Sequence, residues 1–435
     1  MKKGLLGMLT AVFAAILGFA PLSACAPREN TLRVYNWGEY MDDTVVDKFE
    51  DWYKAEYGKK IKVVYKTFEG NEDLHTAVAT KKQDWDLICP SDYMMERMIK
   101  EDLAQKIDKS VVYGDADPRE FMVDGLYDNL TLFDAKNGYA TDDYVVPYIW
   151  GTFGIMYDTT AGIDPGDVKS WSAIFEGKYS GKIYMKDQER DSYTAALLYA
   201  RRAALSEATN GFTDYGTEDE PNTAYQNALK EIFTDCTVEK IAEAKAALQA
   251  QAPHVYKYES DNGKIAMAEG IDDGKLGLYW SCDAGFAMND FEVETSNNSC
   301  AKPRPVAGNK NLWYTVPQEG SNVWVDGWII PKYAKNVAGA NLFLKFLLGD
   351  EISILNSEYA GAPGANRAAM AELKASLEED GDGYFEGKSA EFKAMYLDMM
   401  FPSHETLQRC AVMGDFGDLA DEVSLMWSND IRAGG

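Results

Sequence analysis

The sequence predicts an α/β protein built as two lobes. Short apolar strands alternate with helices in one region, and the same alternation returns in a second region. Long apolar β-type segments join the two regions. Strands that alternate with helices of about 10–15 residues predict βαβ units and a largely parallel sheet in each lobe. The length of 435 residues fits two or three domains at about 100–200 residues each.

The first α/β region follows a short polar stretch near residue 30. Its best-defined helix is predicted at 42–57, where Val45, Phe49 and Trp52 recur at helical spacing. In chain order, the predicted elements are strands at 31–35, 61–65 and 86–89 and helices at 42–57, 71–80 and 94–101.

The second α/β region begins after a long apolar β-type segment at 144–157, and a similar segment recurs at 322–331. The predicted elements that go with them are strands at 182–185 and 276–280 and helices at 194–205, 224–233, 238–251, 337–348 and 422–431. The polar, acid-rich stretch 210–221 is predicted to be a surface loop. Proteins of two lobes bind ligands between the lobes and at the carboxyl ends of strands.

The formal net charge of −27 narrows the choice of partner. Nucleic acids and anionic membrane surfaces attract basic proteins, so neither is predicted as the main partner. An acidic protein is compatible with a cationic ligand, although an acidic surface also serves solubility.

The first 24 residues are predicted to be a secretory signal. Lys2 and Lys3 precede a short apolar run, and Leu22-Ser23-Ala24-Cys25 resembles a bacterial lipobox. Cleavage before Cys25 would leave an acylated cysteine and a lipidated tether at 25–30, so that the exported protein is anchored to the cell membrane on its extracellular or periplasmic face. The alternative is an ordinary signal peptide with an incidental cysteine.

Motifs for metals, cofactors and catalysis are missing from the sequence. The five cysteines after Cys25 form no CxxC and only three histidines occur, so no structural zinc site is predicted. No GxSxG, GxxxxGK[ST] or HExxH motif is present. We therefore predict no cofactor and no enzymatic activity. Proximity in sequence makes Cys282–Cys300 a candidate disulfide.

Four clusters place acidic residues after predicted strands, three of them beside aromatic residues. They are 35–40 (YNWGEY), 186–191 (KDQERD), 280–283 (WSCD) and 324–326 (WVD). Carboxylates bind ammonium groups through charge-assisted hydrogen bonds, and aromatic faces add about 0.5–2 kcal/mol by cation–π attraction. Such a set suits an organic polycation whose methylenes pack on flat apolar walls. Each cluster alone also fits an ordinary core, and the acids at 187–189 also fit a helix start.

Several longer runs carry a family resemblance. RVYNWGEY, VVYKTFEGNEDL, DLICPSDYM, QKIDKS, VPYIWGTFGI and VWVDGWIIP occur in this order along the chain. Together they closely resemble the spermidine/putrescine-binding proteins of bacterial polyamine ABC importers, over essentially the whole mature chain. The resemblance implies a two-lobed periplasmic-binding-protein fold of type II, in which the lobes close over the ligand about a hinge.

The resemblance also implies a set of ligand contacts. Asp191, Asp283 and Asp326 would hold ammonium groups, and Ser91 would add a neutral hydrogen bond. The aromatic side chains that would line the methylene chain are Trp37, Tyr40, Tyr93, Trp280 and Trp324. Gly38 and Glu39 fall on the same binding loop as Trp37 and Tyr40.

The sequence departs from the family pattern at two positions of the implied site. Gln188 stands where a second acid is expected, and Ala362 stands where the family has a tyrosine. The family's glutamine near the C-terminus has no clear match within 409–415. These departures leave the length and the amine count of the ligand open.

The resemblance implies that this protein is the substrate-binding component of an importer. Such a protein would be a monomer that delivers putrescine or spermidine to a membrane permease. The first lobe would comprise 31–146 and 326–400, the second 147–325 and 401–435, with hinge strands near 144–150 and 323–327. Three alternatives stay open: a binder of another small cation such as thiamine on the same fold, a sensor partner for a membrane receptor, and a secreted carboxylate-dependent hydrolase.

Overall fold

The structure is a computed structural model that describes residues 28–259, 262–293, 304–381 and 383–433. The predicted signal 1–24, Cys25 and Cys300 lie outside these residues, so the predictions about export, acylation and the Cys282–Cys300 pair stay predictions. The strands are β1 Thr31–Trp37, β2 Lys62–Phe68, β3 Leu87–Ile88, β4 Ala104–Gln105, β5 Val145–Asp158, β6 Ile183–Lys186, β7 Val255–Glu259, β8 Leu276–Trp280, β9 Phe291–Val293, β10 Arg304–Val306, β11 Leu312–Thr315, β12 Ser321–Pro331 and β13 Cys410–Ala411.

Helices cover both faces of the sheet formed by most of these strands. They are α1 Val45–Tyr57, α2 Asn71–His75, α3 Asp92–Lys100, α4 Lys109–Val112, α5 Pro118–Phe121, α6 Leu126–Leu130, α7 Asp134–Asn137, α8 Ser172–Phe175, α9 Glu189–Ala200, α10 Arg202–Ala208, α11 Thr223–Thr234, α12 Val238–Gln251, α13 Asn262–Glu269, α14 Ser281–Met288, α15 Val337–Leu347, α16 Asp350–Ala360, α17 Arg367–Glu379, α18 Ala390–Met400, α19 His404–Leu407 and α20 Ala420–Leu425. Short π-helical turns follow α2 at Thr76–Thr80 and α20 at Met426–Arg432. In the part of the chain that the structure describes, no helix is both long enough and apolar enough to cross a membrane.

The main sheet is mixed, with parallel strands at each end and antiparallel strands in the middle. Its order is β2-β1-β3-β12-β5-β8-β6-β7, with β4 and β13 beside β12 and β11 beside β5. The pairs β1–β2, β1–β3, β6–β7 and β6–β8 are parallel, whereas β5 pairs with β8 and β12 in antiparallel register. The α/β prediction is therefore confirmed, and the long apolar segments predicted to join two regions are the central pair β5–β12.

Separate cores lie on the two sides of the central pair. On the first side, Leu32 and Phe49 pack with Phe343 of α15. On the second side, Trp171 and Leu197 belong to a larger cluster that also contains parts of α11 and α12. Separate buried clusters on the two sides of one continuous sheet are what a two-lobed chain requires, since each lobe must bury its own apolar faces.

The lobe boundaries stay a prediction, and helix α18 packs against strands that the sequence assigns to the other lobe. Helix α18 falls within 326–400, which the sequence assigns to the first lobe. Its Phe392 and Tyr396 are buried in a cluster with Met156 and Tyr279 of the central and second-side strands.

Most predicted elements appear close to their predicted positions. The helix at 238–251 and the strand at 276–280 have the predicted bounds, and the apolar segment predicted at 144–157 is a strand shifted by one residue. The helix predicted at 194–205 is in fact two helices, α9 and α10, which meet at Arg201. The stretch 210–221 contains no helix or strand, as predicted.

A glycine in β5 allows an indole to pack on the central pair. Gly151 is the register partner of Trp324 in β12, and a Cβ on Gly151 would lie 2.8 Å from Cζ2 of that indole. The indole Nε1 donates a hydrogen bond of 3.1 Å to the carbonyl oxygen of Thr152, so it is held by a polar contact as well. Glycine at position 151 is thus required by this close approach.

We predict that Gly151→Ala destabilises the protein by about 1–3 kcal/mol, because the added methyl group would overpack the space between Ser281 Oγ and the Trp324 indole. Urea unfolding followed by tryptophan fluorescence measures this difference. Gly381→Ala is the matched control, since nothing lies within 4 Å of a Cβ at that position. Equal unfolding midpoints for the two variants would contradict the proposed role of Gly151.

Candidate functional site

A cleft with a cavity of about 360 Å³ lies where the carboxyl ends of several strands meet. Its lining comes from the ends of β1 and β8, the turns after β3 and β6, and one face of β12. The structure brings all eleven predicted ligand contacts to this one cleft: Trp37, Gly38, Glu39, Tyr40, Ser91, Tyr93, Asp191, Trp280, Asp283, Trp324 and Asp326. Their contact with a ligand stays a prediction.

Asp326 is a buried carboxylate on β12, at a shift of the register between β12 and β5. Asp326 pairs with Ile149 and Gly327 pairs with Pro147, so the extra residue of this bulge, Tyr148, lies on β5. The side chain of Asp326 accepts a hydrogen bond of 2.7 Å from the Tyr40 hydroxyl at Oδ2 and another from Ser91. Burial raises its pKa to about 6, although both hydrogen bonds act in the opposite direction.

Ser91, which donates a hydrogen bond to Asp326, is held in place by the side-chain amide of Asn71. Asn71 donates from Nδ2 to Ser91 Oγ at 3.1 Å, and the Ser91 backbone N–H donates to Asn71 Oδ1 at the same distance. Asn71 also lines the cleft and is 5% exposed. No sequence pattern singled out this residue, although it lies within the run VVYKTFEGNEDL.

Asp191 supplies a second buried carboxylate from the first turn of α9. It accepts a hydrogen bond from the side chain of Trp280. Burial raises the pKa of Asp191 to about 6, even though Lys186 and Arg190 lower it. The charge on Asp191 also raises the pKa of Asp326, so the two carboxylates repel each other electrostatically within the cleft.

Aromatic rings form the walls between these carboxylates. Trp324 stands between Asn322 and Asp326 on one face of β12, since alternate residues of a strand share a face. The ring of Trp37 packs against Phe68 with ring centres 4.5 Å apart. Two buried atoms that line the cleft, Nε1 of Trp37 and Oδ1 of Asn322, have no hydrogen-bond partner among the described residues.

Asp283 differs from the other two aspartates because the chain itself supplies its counter-charges. Its Oδ2 is 2.6 Å from Nζ of Lys186, and its Oδ1 is 3.2 Å from Nζ of Lys264. Burial alone would raise the pKa of Asp283, but the two ammonium groups outweigh burial and hold that pKa below its usual value. No sequence pattern indicated a role for either lysine, although Lys186 begins the cluster 186–191.

Arg190 is a third cation at the cleft. Its guanidinium lies 3.6 Å from the ring centre of Tyr93, which comes from the opposite side of the cleft, and it donates to the carbonyl oxygen of Gly414 at 2.7 Å. The Tyr93 hydroxyl donates to Glu72 at 3.1 Å. The guanidinium therefore links the two sides of the cleft at this edge.

The two departures from the family pattern lie in different places. Gln188 lines the cleft at the residue before α9, and its side chain makes no capping hydrogen bond to that helix. Ala362 is fully buried in the first-side core and does not line the cleft. Within the described ranges, no group of three or more His, Cys, Asp or Glu side chains is placed to hold a metal ion.

The mixed sheet, the two cores and a polar cleft between them define a binding protein of the two-lobed periplasmic type. Residues 44–381 match the family model described as bacterial extracellular solute-binding protein, and the chain belongs to this family. A relative from Escherichia coli, the "Spermidine/putrescine-binding periplasmic protein", is 30% identical over 376 residues, which cover 86% of this chain and 87% of the relative. The "Putrescine-binding periplasmic protein SpuD" of Pseudomonas aeruginosa is 28% identical over 368 residues, 82% of this chain and 84% of the relative.

Solved structures share the fold. The "Putative spermidine/putrescine ABC transporter from Listeria monocytogenes" superposes with a TM-score of 0.63 at 23% identity and covers 92% of this chain and 98% of its own. The PotD substrate-binding protein of Streptococcus pneumoniae gives a TM-score of 0.61 at 22% identity, covering 93% and 99% of the two chains. The predicted two-lobed fold and the predicted family are thereby confirmed.

We predict that Tyr40→Phe raises the pKa of Asp326 further, because the lost hydrogen bond stabilises the ionised carboxylate. An NMR titration of the aspartate carboxyl carbons measures this shift. Tyr65→Phe is the control, since the Tyr65 hydroxyl accepts from Asn36 and does not contact Asp326. An unchanged Asp326 titration in Tyr40→Phe would contradict the hydrogen bond described here.

Proposed function

We propose that this protein captures a polyamine, putrescine or spermidine, in the cleft and delivers it to a membrane ABC permease. The observation that carries the proposal is the pair of buried carboxylates, Asp326 and Asp191, whose pKa values burial raises to about 6. A buried carboxylate with too little counter-charge is costly, and an ammonium group of a ligand reduces that cost. The names of the relatives support the same ligand class.

The ligand lies between the two aspartates in this proposal. One ammonium group binds Asp326 beside Tyr40 and Ser91, and another binds Asp191. The methylenes between them pack on the indoles of Trp37, Trp280 and Trp324, where each buried CH₂ contributes roughly 0.8 kcal/mol. No covalent step is involved, so the residues act by binding alone.

Binding would also favour the closed arrangement of the lobes. Asp326 and its partners Tyr40 and Ser91 lie on one side of the cleft, whereas Asp191 and Trp280 follow strands of the other side. A ligand held by both sides binds the closed state better than the open state, and only such differential binding shifts the population. The strands near 144–150 and 323–327 are the proposed hinges between lobes at 31–146 and 326–400 and at 147–325 and 401–435.

The cellular arrangement extends the proposal to the N-terminus. Acylation of Cys25 after removal of the signal would tether a monomer to the cell membrane, with the cleft facing the extracellular or periplasmic space. The polyamine would then pass from the cleft to the permease.

Calorimetric titration of the purified mature protein tests the proposed ligand class. We expect saturable heats with putrescine, spermidine or both, and none with thiamine. Asp326→Asn should weaken binding by about 2–5 kcal/mol, roughly 30-fold or more, because the desolvated ammonium group loses its counter-charge. Asp128→Asn at an exposed position is the matched control and should bind like the wild type.

Two results would overturn the proposal. The first is binding of thiamine with no response to either polyamine. The second is an unchanged dissociation constant in Asp326→Asn, which would remove this carboxylate from the site.

Binding should weaken on acidification. A cationic ligand binds the ionised forms of Asp326 and Asp191, so below their pKa values of about 6 the ligand must displace protons. We expect the affinity to fall about 10- to 100-fold between pH 7 and pH 5, with proton release during titration at pH 6. A constant affinity over this range would show that neither carboxylate titrates with ligand binding.

A further inference from the structure

One end of the cleft already holds an ammonium group that belongs to the chain. Nζ of Lys264 lies 3.2 Å from Oδ1 of Asp283 and 3.5 Å from Oε2 of Glu39. It also lies 4.9 Å from the ring centre of Phe286. Carboxylates beside an aromatic ring are the surroundings that an alkylammonium ligand would seek in this protein.

A second lysine repeats this pattern just behind the first. Nζ of Lys186 lies 2.6 Å from Oδ2 of Asp283 and 3.5 Å from the ring centre of Trp280. The side chains of Lys186 and Asp283 are 1% and 2% exposed, and that of Lys264 is 9% exposed. The backbone N–H of Trp280 donates to Oδ2 of Asp283 at 3.3 Å as well.

Both carboxylate oxygens of Asp283 are therefore paired with lysine ammonium groups before any ligand binds. A ligand ammonium group that approached it would have to displace Lys264 or lie next to a like charge. Displacing one partner of a buried ion pair leaves a buried charge with less compensation, which is strongly unfavourable. Asp326 and Asp191 differ, since burial raises the pKa of each and neither is bridged by two lysines.

We propose that Lys264 is a specificity-determining residue that places the chain's own ammonium group at the Asp283 end of the cleft. This end then disfavours an additional ammonium group of a ligand. The site selects a diamine held by Asp326 and Asp191 over a triamine. The inference rests on the proposed polyamine function and names the ligand within that class.

The position of Lys264 makes this selection effective. The side chain comes from α13, on the second side of the cleft, whereas Glu39 follows β1 on the first side. Both residues line the cavity, so their ion pair spans it. Lys186 lies behind Trp280 and is not part of the lining, which makes Lys264 the lysine that a ligand would meet.

The test compares variants that differ in the charge of the side chain at position 264, with all other residues of the site unchanged. Lys264→Met removes the charge and retains an unbranched side chain of similar length, and Lys264→Arg is the matched control that keeps the charge. Lys264→Gln serves as a second neutral variant, since its amide still donates a hydrogen bond to Asp283. Thermal melting establishes that each variant is folded, and calorimetry then measures putrescine and spermidine binding.

We expect the wild type to bind putrescine at least tenfold more tightly than spermidine. Lys264→Met or Lys264→Gln should reduce this ratio at least tenfold through a gain in spermidine affinity, and Lys264→Arg should keep the ratio. A gain of this kind would not arise from a merely structural role of Lys264, whose loss would weaken both ligands.

The outcomes separate the two proposals. If the wild type binds both polyamines and the neutral variants keep the wild-type ratio, Lys264 does not determine specificity, while the polyamine function stands. A wild type that prefers spermidine also overturns this inference alone. If the wild type binds neither polyamine, the proposed function itself fails.

Discussion

The burial of carboxylates with too little compensation is the constraint on which the cleft depends. Asp326 is 7% exposed and Asp191 is 8% exposed. Hydrogen bonds at Asp326, and a hydrogen bond with two nearby cations at Asp191, only partly offset the loss of water. Such groups resist ionisation, which is why their pKa values are raised. A site of this kind stores unfavourable electrostatic energy in the empty protein and releases it when a cation enters.

The comparison with Asp283 shows that burial alone does not define a cation site. Asp283 is as deeply buried as the other two aspartates and lies in the same cleft, yet its pKa is lowered. The difference comes from Lys186 and Lys264, which approach from β6 and α13. An aspartate can therefore match a family motif in sequence and still have an internal role that its neighbours in space determine.

Local patterns explain why much of the fold could be predicted. Apolar runs and helical periodicity located β1, β5, β8, β12 and α12 to within about two residues, because β1 and α12 bury one face and β5, β8 and β12 are buried at nearly every position. The quoted motifs brought eleven residues to one cleft because most of them lie at the carboxyl ends of strands that meet there, while Trp324 and Asp326 share one face of the central strand β12.

Contacts between distant segments explain what the sequence analysis missed. Lys264 lies on α13, a short helix without a clear apolar stripe, and it meets Glu39 from more than 200 positions away in the chain. Helices α16 and α17 were not predicted; in α17 only Ala369, Met370 and Leu373 are buried, so its apolar stripe is short. Pairing of this kind leaves no periodic signal in a single sequence, so neither the lysine cluster nor the role of Asn71 could be derived from it.

The bulge where β12 pairs with β5 has a consequence for how ligand occupancy and the shape of the protein are linked. The strand that carries Trp324 and Asp326 is also one of the two central strands that connect the halves of the sheet. Next to the bulge, a Cβ on Gly327 would lie 2.6 Å from Cγ1 of Val145 and 2.8 Å from Sδ of Met95, so the backbone is tightly confined there. If the two halves of the sheet bend about these strands, the carboxylate of Asp326, which would bind the ligand, moves with them. Ligand affinity and lobe movement are then coupled through the same two strands. A change in backbone packing far from the ligand would therefore alter the affinity for it.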